Sequence, residues 1–190
     1  MNSNKLFWDL DETMVHSMYA NNEAHADQLI ELYGEHWKGV KFRLRNDGWY
    51  VSFLRNSTMR LLEFTRELLG KENVFILTAG TQDYVLWVNT HVGLGFDPNT
   101  NIFSREDVAR QEVCPKFKDT FNVLIDNENY FYHAMGDRCK VKFLGSYPAD
   151  QHIHIEKFTV WEEKIDPEWD DKYIQDTKER IEKVFNLCLK

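Results

Sequence analysis

Apolar residues in this chain gather into short runs separated by polar stretches, and the runs are of two kinds. Lys5-Leu6-Phe7-Trp8 with Leu10, Val74-Phe75-Ile76-Leu77 and Phe121-Asn122-Val123-Leu124-Ile125 are too short for helices and too continuous for strands with one wet face. Such runs suit the centre of a parallel sheet covered on both sides. Between them the period changes. Met59, Leu61, Leu62, Phe64, Leu68 and Leu69 form a helical stripe that ends at Gly70, with Ser57 placed to cap its start, and Tyr84 to Val88 begins another helix. Asn101–Ser104 and Val141–Leu144 add shorter strands, and Ile153, Ile155, Phe158 and Val160 mark a strand or irregular segment. Asp166-Pro167 opens a last helix as cap and first-turn proline, with Tyr173, Ile174, Ile181, Val184, Phe185 and Cys188 on its apolar side. Strands alternating with helices predict an α/β fold, a doubly wound and mostly parallel sheet with helices on both faces.

One region breaks that rhythm. Met14 to His36 is polar, with Leu29, Ile30, Tyr33 and Trp37 at helical steps. Then Val40, Phe42 and Leu44 alternate with Lys41, Arg43 and Arg45, the turn Asn46-Asp47-Gly48 follows, and Val51 and Phe53 resume the alternation. This predicts a small helical and β-hairpin insertion over about residues 17–54, after the first strand, within a single domain spanning 1–190 that closes on a packing helix at about 167–189.

Composition narrows the function classes. Hydrophobic residues at 43% and aromatics at 14% supply a sizeable core. The formal charge of −8, from 31 acidic against 23 basic side chains, excludes bulk attraction to nucleic acid or anionic membrane. Lys41, Arg43 and Arg45 share one face of the hairpin, which is either a solvated surface or a guide for an anionic substrate. Cys114, Cys139 and Cys188 are odd in number and widely spaced, so neither a disulfide framework nor a zinc site is expected. With no apolar run of membrane-spanning length, the expected location is cytoplasmic.

Chemistry is concentrated where the apolar runs end. The first ends in Asp9-Leu10-Asp11-Glu12-Thr13, the second in Thr78-Ala79-Gly80 and the third in Asp126-Asn127. Two carboxylates held at a strand end repel each other unless a cation or a shared proton compensates, and hard oxygen donors favour Mg²⁺. A hydroxyl and small residues at Thr78–Gly80 let a phosphate approach backbone N–H groups.

In that order, with Lys116 and Lys118 upstream of the last pair, these strand ends resemble the motifs of the haloacid dehalogenase (HAD) superfamily of phosphotransferases. The string Phe7 to Ser17, an arginine before a helix (Arg55), Thr78-Ala79, Phe103-Ser104-x-Glu106 and Asp126-Asn127 are similar to its small RNA polymerase II C-terminal-domain phosphatases, the NLI-interacting-factor-like group. The resemblance runs from Lys5 to about Asn129. That group usually carries Arg-Pro-Gly where this chain has Arg55-Asn56-Ser57, and its lysine lies further upstream. The shorter spacing is closer to that of the superfamily's deoxyribonucleotidases.

The resemblance implies a HAD-like fold and a Mg²⁺-dependent phosphomonoesterase working through an aspartyl-phosphate. Asp9 is then the nucleophile, Asp11 the general acid and base, and Lys116 or Lys118 the catalytic lysine. Asp9, Asp11 (through its backbone carbonyl), Asp126 and Asn127 hold the metal, Thr78, Ala79 and Gly80 bind phosphate, and Lys41, Arg43, Arg45 and Arg55 are candidates to touch substrate. The expected partner is a phosphorylated substrate: a phosphoprotein or, as an alternative, a nucleotide or nucleic-acid end carrying a 5′ or 3′ phosphate. A non-catalytic binding module on the same fold would be marked by loss of Asp9, Asp11, the lysine or Asp126, and all are present. His16 and Ser17 read as structural.

Overall fold

A computed structural model describes residues 4–44, 48–110, 113–117, 120–127, 152–161 and 167–187. Arg45, most of the hairpin turn, Lys118, the strand expected at Val141–Leu144, Asp166, Cys139 and Cys188 lie outside the described residues.

The central run becomes β1 (Asn4–Trp8), flanked in one five-stranded parallel sheet by β5 (Val74–Leu77) and β7 (Phe121–Asp126), with β6 (Ile102–Phe103) and β8 (His152–His154) at the edges. Alternation along β1 splits the core. Leu6 and Trp8 face a cluster with Leu61 and Leu62 of α2 (Thr58–Leu69) and with Ile174, Ile181 and Phe185 of α6 (Pro167–Leu187). Phe7 faces the other way, against Phe75, Phe103 and Phe117 beside α5 (Val113–Lys116). The Phe7 ring stacks on Phe75 at 5.0 Å and meets Phe117 edge-on at 4.9 Å. This is the mixed α/β architecture, covered on both faces, that the continuous apolar runs require.

The insertion holds the expected helix and hairpin and gains one more strand. β3 (Gly39–Leu44) and β4 (Gly48–Leu54) pair as read, but β2 (Val15–Ala20) joins β4 along its whole length, giving a three-stranded antiparallel sheet in the order β2-β4-β3. Val-His-Ser-Met-Tyr-Ala has little alternation of its own, and its strand state comes from pairing with β4 rather than from pattern. Helix α1 (Glu23–Tyr33) packs on this sheet through Ala26, Trp37, Val51 and Phe53, and Asn22 caps it by accepting from the His25 N–H at 2.9 Å.

Ser57 does not cap α2. It takes helical dihedrals and makes no cap bond, while the neighbouring Thr58 hydroxyl donates to the Met14 carbonyl at 3.0 Å, tying the helix start to the loop after β1. Gly70, at φ +86°, ends α2 in a conformation that L side chains rarely adopt. Among the described residues no helix is long and apolar enough to cross a membrane.

Candidate active site

Parallel register delivers the acidic groups to one edge. Trp8 lies level with both Ile76 and Ile125, so Asp9 follows β1 beside the Asp126 that ends β7, and the Asp9 N–H donates to the Ile125 carbonyl at 2.9 Å. A tight turn then folds the chain back: the N–H groups of Met14 and Val15 both donate to the Leu10 carbonyl, and Glu12 takes φ +59°. Thr13 leaves that turn and joins the second acidic loop. Its hydroxyl donates to Asn127 Oδ1 at 2.9 Å and accepts from the Asn127 N–H at 3.2 Å.

Both loop carboxyls are strained electrostatically. Burial raises the pKa of Asp9 well above the ordinary carboxylate range, the charges of Asp126 and Asp11 push it further, and the Thr13 hydroxyl and Leu10 N–H partly oppose them. Burial also pushes Asp11 up to about 6, against hydrogen bonds from Tyr84 and Thr78 and the charge of Arg105, with Glu12 adding to the rise. Two buried carboxylates at adjacent strand ends, surrounded by oxygen donors, fit Mg²⁺, which is commonly held by one or two carboxylates with water completing its shell. Among the described residues no group of three His, Cys, Asp or Glu side chains is placed to hold a metal ion by itself. Asn127 Oδ1 already accepts from Thr13, so one lone pair of that oxygen remains.

Thr78 is fully buried one residue past β5. Its N–H donates to the Phe103 carbonyl at 3.0 Å, and its Oγ1 accepts from the Gly80 N–H at 3.0 Å. The loop that follows is held from the start of α4 (Arg105–Ala109). Arg105 Nε donates to the Ala79 carbonyl at 2.7 Å, its N–H to the Gly80 carbonyl at 3.0 Å, and Glu106 accepts the Gln82 N–H at the start of α3 (Gln82–Val88) at 2.9 Å. A side chain at position 80 would bring its Cβ to 2.6 Å from the Tyr84 ring, so glycine is required by close approach.

The structure brings Asp9, Asp11, Thr78, Asp126 and Asn127 together, and the candidate cations among the described residues make contacts of their own. Lys116 Nζ sits over the rings of Phe103 at 4.9 Å and Phe117 at 5.5 Å, near Lys5. Lys41 is engaged by Asp27 at 2.6 Å and Glu23 at 3.1 Å, both on α1, while Arg43 is exposed on β3. Arg55 must be corrected: at 1% exposure it offers no surface to a substrate. Its guanidinium packs 4.1 Å from the centre of the Tyr173 ring and donates to the Glu156 carbonyl at 2.9 Å, pinning α6 and the segment after β8 to the start of α2.

Sequence reasoning missed Tyr84 and Arg105. Tyr84 donates a hydrogen bond to Asp11, and Arg105 is a cation whose charge reaches that carboxyl. The available signal was their position, a tyrosine in the first turn after Thr78–Gly80 and an arginine within Phe103-Ser104-x-Glu106.

The fold is similar to solved structures of Fcp1, an essential RNA polymerase II CTD phosphatase, one at 15% identity and a TM-score of 0.53 over 96% of this chain and 49% of that one. A second, the fission yeast enzyme bound to beryllium fluoride, is 15% identical with a TM-score of 0.55, over 96% of this chain and 50% of the other. The chain therefore spans about half the length of these solved chains. No curated protein matches it. The profile of the NLI interacting factor-like phosphatases matches residues 4–184, nearly end to end and across every strand that carries an acidic or hydroxyl group to the site, and the chain belongs to that family of phosphatases.

Proposed function

We propose that the chain is a Mg²⁺-dependent phosphoprotein phosphatase that works through an aspartyl-phosphate on Asp9. The observation that carries this reading is the meeting of Asp9, Asp11 and Asp126 at one sheet edge, with two of the carboxyls raised in pKa and Thr78 beside them. A carboxylate attacks a phosphate monoester only where the negative charges are offset. Mg²⁺, held by the carboxylates of Asp9 and Asp126, the backbone carbonyl of Asp11 and Asn127, supplies that positive charge when bound.

The protein's own groups do the rest. The Asp9 carboxylate bonds to phosphorus as the ester oxygen departs, and that oxygen takes the proton of Asp11, which a pKa of about 6 leaves partly protonated near neutrality. Asp11, now ionised, takes a proton from water as the water oxygen attacks phosphorus, and the bond to Asp9 breaks to release inorganic phosphate. Thr78 and the N–H groups after it hold the phosphoryl oxygens, and Lys116 or Lys118 offsets their charge. The insertion covers the site and selects the substrate.

Three features support a phosphoprotein over a nucleic-acid end. Fcp1 acts on the polymerase C-terminal domain, and the charge of Lys41 is already engaged by Asp27 and Glu23. Partly exposed Tyr50 and Trp87 both stack on Phe42 beside Tyr84, an apolar surface suited to peptide side chains. The test is a panel of phosphoserine and phosphothreonine peptides, nucleotides and end-phosphorylated oligonucleotides. Peptide kcat/KM should exceed the others by at least about tenfold, only with Mg²⁺. Asp9→Asn should be inactive and form no beryllofluoride adduct; preference for an oligonucleotide end, or an adduct on another residue, would refute the reading.

A further inference from the structure

A chain of hydroxyls runs from the insertion sheet to Asp11. Ser17 and Ser52 are register partners on β2 and β4, with their Oγ atoms 2.6 Å apart, and Ser17 Oγ lies 2.6 Å from the Tyr84 hydroxyl, which donates to Asp11 Oδ1. Ser52 is fully buried and Tyr84 is 7% exposed, while Ser17 and Asp11 are half-buried. An ionised carboxylate only accepts, and a phenol has a single hydrogen. With Asp11 ionised the order is therefore Ser52 to Ser17 to Tyr84 to Asp11. If the proton of a neutral Asp11 lies on Oδ1, rotation of the same hydroxyls reverses the order, and the chain stays bonded.

We infer that Tyr84 is a positioning residue: braced by Ser17 and Ser52, its hydroxyl holds the Asp11 carboxyl in one orientation through both proton transfers. This rests on the reading of Asp11 as the acid and base. Tyr84 keeps its own proton throughout, as burial and the neighbouring Asp11 charge favour. Three contacts fix its ring: Gly80, where no Cβ fits, Phe42 at 6.0 Å, and the hydroxyl chain itself. The insertion, whose Phe42 and Leu54 join the core cluster of the parallel sheet, thereby sets the geometry of a group in the loop after β1. Changes in the insertion sheet reach the acid through Ser17 without touching the nucleophile.

The experiment compares Tyr84→Phe, Ser17→Ala, Asp11→Asn and the double variant Tyr84→Phe with Asp11→Asn in the Mg²⁺-loaded enzyme. Substrates are a phosphoserine peptide, whose alkoxide leaves poorly, and an aryl phosphate, whose phenolate needs no proton. Tyr84→Phe should lower kcat on the peptide by about 10- to 100-fold with KM little changed, and leave first-turnover phenolate release within about threefold. Ser17→Ala should shift both in the same sense by less. In the Asp11→Asn background Tyr84→Phe should cost nothing further, because its partner's proton chemistry is already gone. Equal losses on the two substrates, or losses that add fully in the double variant, would overturn the inference. Wild-type turnover by Asp11→Asn would defeat the functional reading instead. If Tyr84→Phe does not fold, Ser17→Ala, which keeps the ring, carries the same cycle.

Discussion

Asp11 makes a measurable claim about the metal-free protein. Its pKa of about 6 stands above the ordinary 3.8, a gap that corresponds to about 3 kcal/mol. Between those values the folded protein holds a proton at Asp11 that the unfolded chain has lost, so stability from this group is complete below the ordinary value and disappears as pH rises through about 6. Asp11→Asn removes the titration while leaving an oxygen for Tyr84 to donate to. Urea unfolding of both proteins in chelator should therefore show the wild type losing about 2 kcal/mol relative to the variant between about pH 4.5 and about pH 7.5, with the remainder lost at lower pH. Taking the difference between the proteins cancels the groups that do not feel the charge of Asp11, while Asp9, which that charge pushes up, changes the difference in the same sense. Mg²⁺ should restore wild-type stability at the upper pH and add little at the lower, where the carboxyls are protonated. A difference that is flat, or that grows with pH, would refute the claim that burial and acidic neighbours set the state of this carboxyl.

Two further outcomes follow from the placement of cations. Arg55→Met should destabilise the protein by about 2–4 kcal/mol in urea unfolding, since it removes a buried charge that bonds the Glu156 carbonyl and packs on Tyr173, while the enzyme that remains folded keeps its KM. One of Lys116→Ala and Lys118→Ala should lower kcat by at least about 100-fold in steady-state assays, because the proposed mechanism needs one charge from this segment to offset the transferring phosphoryl group; full turnover by both would remove the lysine from the mechanism.

The parts of the molecule legible in sequence are those in which one short segment carries its own signal. Val74–Leu77 and Phe121–Ile125 read as central strands because burial on both faces leaves a continuous apolar run, and the acidic groups stand out because they follow such runs directly. What stayed hidden depends on partners far away. Lys41 read as a free cation because Glu23 and Asp27, four residues apart on one face of α1, converge on it only in the folded insertion. Arg55 matched the family's arginine, yet its partners Glu156 and Tyr173 lie about a hundred residues further on. Tyr84 looked like one more apolar helix residue, since nothing local says that its hydroxyl meets Asp11 rather than solvent.

The same dependence explains how like charges are held together at the sheet edge. Two loops bearing Asp9, Asp11 and Asp126 tend to separate, and the turn after β1 also carries a non-glycine residue at φ +59°, a conformation of low intrinsic population. The segment that begins with β8 bonds to both loops. The Ile155 N–H donates to the Asp126 carbonyl at 2.9 Å, His154 Nε2 lies 2.8 Å from the Asn127 carbonyl, the Phe158 N–H donates to the Glu12 carbonyl at 2.6 Å, and Lys157 pairs with the Glu12 carboxylate at 2.6 Å. Three of these four contacts end on a backbone carbonyl, which every residue has, so they leave almost no trace in side-chain identity. Buried Arg55 then secures the segment through the Glu156 carbonyl, which links the family's arginine to the acidic site by way of a strap that neither contains a catalytic group nor reads as part of the site. The electrostatic strain on Asp9 and Asp11 is thus resisted by backbone hydrogen bonds made from outside the motif segments, which hold the two acidic loops side by side.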